Sequence, residues 1–199
     1  MFSNKDLRKL IIPLVIEQLL AVTIGMADTV MVSSCGEAAV SGISLVDSIN
    51  FLLITLFSSL ATGGAVIASQ YIGRGDHKSA SLAAKQLFYA SLALSAVLGV
   101  IAVFFRKPVL NMVFGSIEAD VMAHAQIYFL LSAISYPFLA VYNAGAALFR
   151  SMGDSRTTML ISILMNTINI VGNAILIYGF QMAAAGAATA SLVSRAVGA

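Results

Sequence analysis

Long apolar runs separated by short polar segments make up this chain. Each run comes close to the roughly 20 residues that a helix needs to cross about 30 Å of hydrocarbon. The runs lack the alternation of barrel strands and exceed the about 10 residues of such a strand. The pattern predicts an all-α membrane protein, a six-transmembrane-helix bundle, with spans at about 10–33, 48–72, 86–105, 125–149, 158–178 and 183–199.

Composition supports this interpretation and excludes a soluble domain. Of the 199 residues, 59% are hydrophobic and 10% are charged, and the mean hydropathy is +0.94. The sequence holds no phosphate-cradling motif or nucleophile–base pair, and His77 and His124 lack a ligand partner at a useful spacing. We therefore expect no enzyme, no resident metal and no cofactor.

Basic residues favour alternate loops, and this bias predicts the orientation. The segment before the first span and the loops after the second and fourth spans carry eight of them: Lys5, Arg8, Lys9, Arg74, Lys78, Lys85, Arg150 and Arg156. The other loops carry two basic residues and four acids: Arg106, Lys107, Glu37, Asp47, Glu118 and Asp120. We expect a cytoplasmic N-terminus. Because the basic residues do not cluster on one soluble face, we expect no nucleic-acid partner.

The sixth apolar run is short. It has about 17 residues, or about 25 Å of helix, and Arg195 lies inside it. We expect the sequence to be the front part of a longer protein, cut within or just after this span. The alternative is a complete short protein with a frayed last helix.

Two acids lie within the first span. Glu17 and Asp28 are 11 residues apart, so both carboxylates lie on one helical face, about 16 Å apart along the axis. An acid at the bilayer centre costs about 2.5–3.5 kcal/mol on insertion scales, so such a residue faces a bundle interior or a watery cavity. Either acid can carry a proton or bind Na⁺. The alternative is a structural acid held by neighbouring helices.

Asparagines form a polar stripe on the fifth span. Asn166, Asn169 and Asn173 follow an i, i+3, i+7 pattern, and Ser162 extends it. Amide side chains avoid lipid, so this face is expected to point inward. Three amides on one stripe favour a cavity wall, whereas a single amide would suit hydrogen bonding between helices.

Tyr136 and Asn143 are likewise seven residues apart, in the fourth span. Pro137 lies beside Tyr136, and Pro13 lies near the start of the first span. Since proline removes a backbone hydrogen bond, we expect both prolines to bend their helices. The pair Gly63-Gly64 in the second span predicts close contact between helices.

Several stretches also carry a family resemblance. In chain order they are Pro13, Met26–Val32, Gly63-Gly64, Ser69–Asp76, Ala147–Arg156, Asn166–Gly179 and Ala185–Ala190. Together they resemble the N-terminal lobe of the multidrug and toxic compound extrusion (MATE) transporters. The most specific of them is Leu148–Arg156, which reads Leu-Phe-Arg-Ser-Met-Gly-Asp-Ser-Arg.

The resemblance implies one lobe of a twelve-helix, two-lobe transporter with alternating access. It implies secondary active export of organic, often cationic compounds by H⁺ or Na⁺ antiport from the bacterial inner membrane, with no cofactor besides that ion. The implied partners are small-molecule substrates, the lipid bilayer and a C-terminal lobe. The alternatives are a lipid-linked sugar flippase of the same exporter group, which would need several cavity arginines, and a non-transporting half-lobe.

The resemblance also assigns site residues. Asp28 matches the family's cation-coupling acid, Asn169 matches its polar partner, and Asn173 stands where several prokaryotic relatives have aspartate. The last difference puts a two-carboxylate cation site in doubt, and we infer that Glu17 compensates. We expect the substrate cavity to be lined by Asn143, Tyr136, Asn166 and Gln70.

Overall fold

A computed structural model describes the backbone of residues 4–199 and the side chains of Arg8 and of residues 10–199. The side chains of Lys5 and Lys9, which enter the orientation prediction, lie outside the described residues. The helices are α1 (Asn4–Ser33), α2 (Glu37–Gly73), α3 (His77–Phe104), α4 (Arg106–Phe114), α5 (Ala119–Ser151), α6 (Ser155–Asn173) and α7 (Ala183–Gly198), and a π-helical segment (Ala174–Gly179) continues α6.

Within the described residues, five stretches of helix are long and apolar enough to cross a bilayer. They are Leu10–Ser33, Glu37–Gly73, His77–Phe104, Ala119–Ser151 and Ser155–Gly179. The helix of the predicted sixth span, α7, has 16 residues. The all-α bundle predicted from the sequence is confirmed.

The second span begins well before the predicted residue 48. Helix α2 starts at Glu37 and runs for 37 residues, so Asp47 lies inside a helix and its assignment to a loop was wrong. The buried residues Ala39, Ile43, Val46 and Asn50 repeat every three or four positions, which is the periodicity of one helical face. The short helix α4 was also not predicted.

The turn after α2 and the turn after α5 have the same form. A glycine with positive φ, Gly75 or Gly153, precedes an aspartate that caps the next helix. Asp76 accepts a hydrogen bond from the Ser79 backbone N–H at 3.0 Å and so begins α3. Asp154 accepts a hydrogen bond from the Thr157 backbone N–H at 3.1 Å and so begins α6. Capping by a side-chain oxygen satisfies a backbone donor that the first helical turn leaves free.

The main core lies where α2 and α3 pack against α5. Phe57, Phe129, Leu110 and Tyr136 are almost fully buried there. Gly42 lets the backbones of α2 and α5 approach closely, since a Cβ at Gly42 would lie 2.8 Å from the Val121 carbonyl oxygen. This core holds α2, α3 and α5 together as the framework of the lobe.

Helix α1 packs mainly on α6, away from that core. Of its described side chains, only Glu17 and Val32 are buried. Pro13 lies within α1 and Pro137 within α5, and both helices continue through them. Bending at these prolines stays a prediction.

Candidate functional site

Asp28 is joined to the interior of the bundle by a chain of amides. Its Oδ1 atom accepts a hydrogen bond of 2.5 Å from Nδ2 of Asn173. The same Nδ2 atom lies 3.3 Å from Oδ1 of Asn169, whose own Nδ2 donates to Ser191 Oγ at 3.1 Å. The carboxylate of α1 is thereby connected to α6 and α7.

Asn173 leaves one buried acceptor free at this site. The residue is 0% exposed, and its Oδ1 atom has no hydrogen-bond partner among the described residues. A buried acceptor without a partner is costly, so it favours a bound proton donor or cation. Carboxylate and amide oxygens are the ligands that hard cations prefer. The oxygens of Asp28 and Asn173 therefore suit either a proton or Na⁺.

A second carboxylate lies between α2 and α5. Oδ1 of Asp47 accepts hydrogen bonds from the Tyr128 hydroxyl at 3.0 Å and from Nδ2 of Asn50 at 3.3 Å. Asn50 is held in turn by the hydroxyl of Tyr136, which donates to Asn50 Oδ1 at 2.9 Å. Sequence reasoning missed this group, although the spacing of Asp47 and Asn50, three residues apart before an apolar run, was a usable signal.

Arg195 adds a positive charge to the interior. Its guanidinium donates a hydrogen bond of 2.7 Å to Ser135 on α5. The charge of Arg195 acts on both Asp28 and Asp47, and the charge of Asp47 acts on Asp28. The three ionisable groups therefore share one electrostatic environment.

Glu17 belongs to a different cluster, toward the N-terminal end of α1. Oε1 of Glu17 lies 3.3 Å from the Arg150 guanidinium and 3.4 Å from the Tyr142 hydroxyl, and Oε2 lies 3.4 Å from Thr158 Oγ1. This cluster connects α1 to α5 and α6. The structure thus does not bring Glu17 into the Asp28 group, and its part in cation coupling stays a prediction.

The four residues expected to line a substrate cavity occupy different environments. Tyr136 is 1% exposed and packs against Phe57, so it has no open surface in this lobe. Asn166 is half-buried, 3.5 Å from Ser162 Oγ. Asn143 is half-buried with a buried amide nitrogen that has no partner in the described part of the chain. Gln70 is exposed near the C-terminal end of α2.

Two aspartates outside the spans titrate below their usual range. The hydrogen bond from Ser79 holds the pKa of Asp76 below its ordinary value, and the hydrogen bonds from Thr157 do the same for Asp154. Both are helix caps. Their charges stabilise helix ends and belong to the framework of the lobe.

A bundle of apolar helices that holds carboxylates in its interior is typical of membrane transport proteins. The family model described as MatE matches residues 13–175. Most of the chain lies within that match. The chain belongs to the MatE family, and it is a multi-pass membrane protein.

Relatives and solved structures agree with this assignment. The chain is 30% identical over 205 residues to "Probable multidrug resistance protein NorM" of Thermotoga maritima, a match covering 98% of this chain and 43% of the relative. It is 29% identical to "Uncharacterized transporter YisQ" of Bacillus subtilis, covering 94% of this chain and 41% of the relative. The chain spans about two fifths of the length of these curated relatives.

The fold matches known structures over nearly the whole chain. An outward-facing multidrug resistance MATE family transporter of the MOP superfamily superposes with a TM-score of 0.91 at 24% identity, covering 98% of this chain and 43% of that one. A MOP superfamily transporter from Pyrococcus furiosus gives a TM-score of 0.88 at 26% identity, covering 98% of this chain and 42% of that one. The described residues thus have the fold of one lobe of such a transporter.

Proposed function

We propose that this chain is the N-terminal lobe of a secondary active multidrug efflux transporter. It exports organic, often cationic compounds by H⁺ or Na⁺ antiport through alternating access. Relatives support the proposal through their names, which include "Multidrug export protein MepA" of Staphylococcus saprophyticus, 23% identical over 187 residues. The proposed protein lies in the cell membrane with a cytoplasmic N-terminus and works with a second, C-terminal lobe.

The hydrogen bond between Asp28 and Asn173 is the observation that carries the proposal. A carboxylate within a membrane-spanning helix is costly unless it is used or paired. Asp28 is paired with an amide whose oxygen remains free and buried. The group therefore has capacity for one small cation, as antiport requires.

Binding of that cation changes what holds α1 in place. With the cavity open to the outside, Asp28 takes up a proton or Na⁺, assisted by Asn173 and Asn169. A proton removes the charge of the carboxylate and Na⁺ offsets it, so either cation weakens the charge-assisted hydrogen bond from Asn173 and the attraction of Asp28 for a cationic compound. One charge moving inward through about 100 mV gains about 2.3 kcal/mol, which is a bias of roughly 50-fold.

Ethidium efflux tests this proposal. The complete gene product that contains this chain is expressed in efflux-deficient bacteria, as wild type, as Asp28→Asn and as Asp120→Asn. Asp120 is an exposed aspartate in the first turn of α5 and serves as a matched control. We expect D28N to lose efflux at normal expression and D120N to keep it. Collapsing the H⁺ and Na⁺ gradients separately identifies the ion.

Two results would contradict the proposal. Efflux that persists in D28N would reject the coupling role of Asp28. A well-expressed wild-type protein that exports no cationic dye under either gradient would reject the antiport function itself.

A further inference from the structure

Asp47 lies deeper in the lobe than Asp28. Helix α1 ends and helix α2 begins at the same turn, between Ser33 and Glu37. At 1.5 Å per residue, Asp28 lies about 8 Å below that turn and Asp47 about 15 Å below it. An acid at this depth needs a physical reason, because carboxylates are costly within a bilayer.

The carboxylate of Asp47 is fixed through one oxygen only. Tyr128 and Asn50 both donate to Oδ1, and Asn50 is itself held by Tyr136. Within the described part of the chain, Oδ2 accepts no hydrogen bond. A binding group held by packed, hydrogen-bonded neighbours with one free face is preorganised for a ligand.

The exposed side of α2 at this level combines the acid with an aromatic ring. Asp47 is exposed in the lobe, and Phe51, one turn further along the same face, is 70% exposed. A carboxylate is costly against lipid, so under the proposed function we assign this face of α2 to the cavity side of the lobe. An aromatic ring beside a carboxylate is a combination that attracts organic cations.

The charges of Asp28, Asp47 and Arg195 do not cancel. Asp28 and Asp47 carry two negative charges, and Arg195 carries one positive charge that acts on both. Arg195 donates to Ser135, and no ion pair joins it to either aspartate among the described residues. One negative charge therefore remains uncompensated when both carboxyls are ionised.

We propose that Asp47 recognises the positive charge of an organic monocation, with Phe51 contacting its apolar body. The inference rests on the proposed function and deepens it, because it names a substrate-binding carboxylate on α2 that is separate from the coupling carboxylate on α1. Asp47 then sets the preference for positively charged over neutral compounds.

Equilibrium binding of tetraphenylphosphonium tests this inference. The complete gene product is purified into nanodiscs as wild type, Asp47→Asn and Glu37→Gln. Glu37 is an exposed acid in the first turn of the same helix and is the matched control. We expect D47N, which keeps an acceptor for Tyr128, to bind tetraphenylphosphonium at least about 10-fold more weakly, because a nearby charge is lost at low dielectric. E37Q should bind as wild type does.

A neutral dye separates recognition from structure. Nile red should bind wild type and D47N equally, and Asp47→Glu should restore part of the tetraphenylphosphonium affinity. An equal loss for both dyes would show that Asp47 only holds α2 against α5, and would overturn the inference. Unchanged tetraphenylphosphonium binding in D47N, or no binding to wild type, would overturn it as well.

The binding assay also distinguishes this inference from the proposed function. If the wild type exports ethidium and D47N binds tetraphenylphosphonium as tightly as the wild type does, the role of Asp47 is rejected and the transport function stands. A wild type that binds tetraphenylphosphonium through Asp47 but moves no dye supports the role of Asp47 and rejects the transport function.

Discussion

Gly42 is a point of close approach between the backbones of α2 and α5, and an added methyl group there tests the packing directly. A Cβ at this position would lie 2.8 Å from the Val121 carbonyl oxygen and 3.0 Å from the Ala125 backbone nitrogen. Ordinary van der Waals contact begins at about 3.4 Å. Because both neighbours are backbone atoms of a helix, Gly42→Ala forces α2 and α5 apart by about half an ångström.

The expected cost follows from two opposing effects. Overpacking of a tight contact costs about 1–3 kcal/mol. Replacing glycine by alanine within a helix returns about 0.5–1 kcal/mol. Taking the middle of each range, we expect Gly42→Ala to lower the free energy of unfolding by about 1 kcal/mol. Gly63→Ala is the matched control, because no atom lies within 4 Å of its added Cβ, and it should be neutral or stabilising.

Thermal unfolding of the detergent-solubilised protein, followed by fluorescence-detected size exclusion, measures the difference. At about 2–4 °C per kcal/mol for a chain of this size, Gly42→Ala should lower Tm by about 2–4 °C. Gly63→Ala should leave Tm unchanged or raise it. Equal Tm values for the two alanine variants would refute the close approach of α2 and α5 at Gly42.

Two further predictions concern the charges of Glu17 and Asp154. Arg150→Gln leaves the buried Glu17 carboxylate without its cation and should lower Tm. The double variant Arg150→Gln, Glu17→Gln removes the buried charge as well, so its Tm should fall less. A double variant less stable than Arg150→Gln would contradict this. Asp154→Ala removes the cap of α6 and should lower Tm at pH 7, whereas Asp154→Asn keeps an acceptor for Thr157. The pKa of Asp154 is lowered in the folded state, so its charged form stabilises the fold. The difference in Tm between wild type and the alanine variant should therefore be complete above about pH 4 and shrink as the pH falls through that pKa. A Tm difference independent of pH would be evidence against this role of the Asp154 charge.

The apolar content of the chain predicted the helical architecture but placed some helix ends wrongly. The first 11 residues of α2 contain Ser41, Ser44 and Asp47, which lower the local average hydropathy. Their helical nature shows instead in the buried face at Ala39 and Val46, which average hydropathy does not register. Asp47 was assigned to a loop for this reason alone.

Close contact between helices was predicted at a pair of glycines and found at one of them. The Cβ of a residue replacing Gly64 would meet the Leu87 side chain, whereas Gly63 faces open space. Close approaches to backbone atoms occur at Gly42 and also at Gly99 and Gly186, where an added Cβ would lie 3.1 Å from the Ala133 carbonyl oxygen and 3.2 Å from the Leu176 carbonyl carbon. Sequence shows which residues permit an approach, but the face that meets a neighbour depends on how the helices are rotated.

Partners of buried polar groups were predictable only where the polar stripe itself was informative. The ladder of Asn169 and Asn173 predicted an inward face on α6, and the structure brings Asp28 to it. The shared face of Glu17 and Asp28 along α1 was a sound inference about one helix. It could not show that Arg150 lies opposite Glu17, because that contact is set by the packing of α1 against α5 and α6.

Helix α1 is the element whose position depends most on polar contacts. Only Glu17 and Val32 of its described side chains are buried, and apolar surface gains little by moving from lipid to protein. Two carboxylates therefore hold it: Asp28 toward its C-terminal end, which is the outer end under the proposed function, and Glu17 toward its N-terminal end. Under the proposed function, a cation at Asp28 weakens only the outer attachment. We expect the outer half of α1 to move against α6 while the Glu17 cluster keeps the inner half in place, so that uptake of one cation from outside reshapes the outer cavity first.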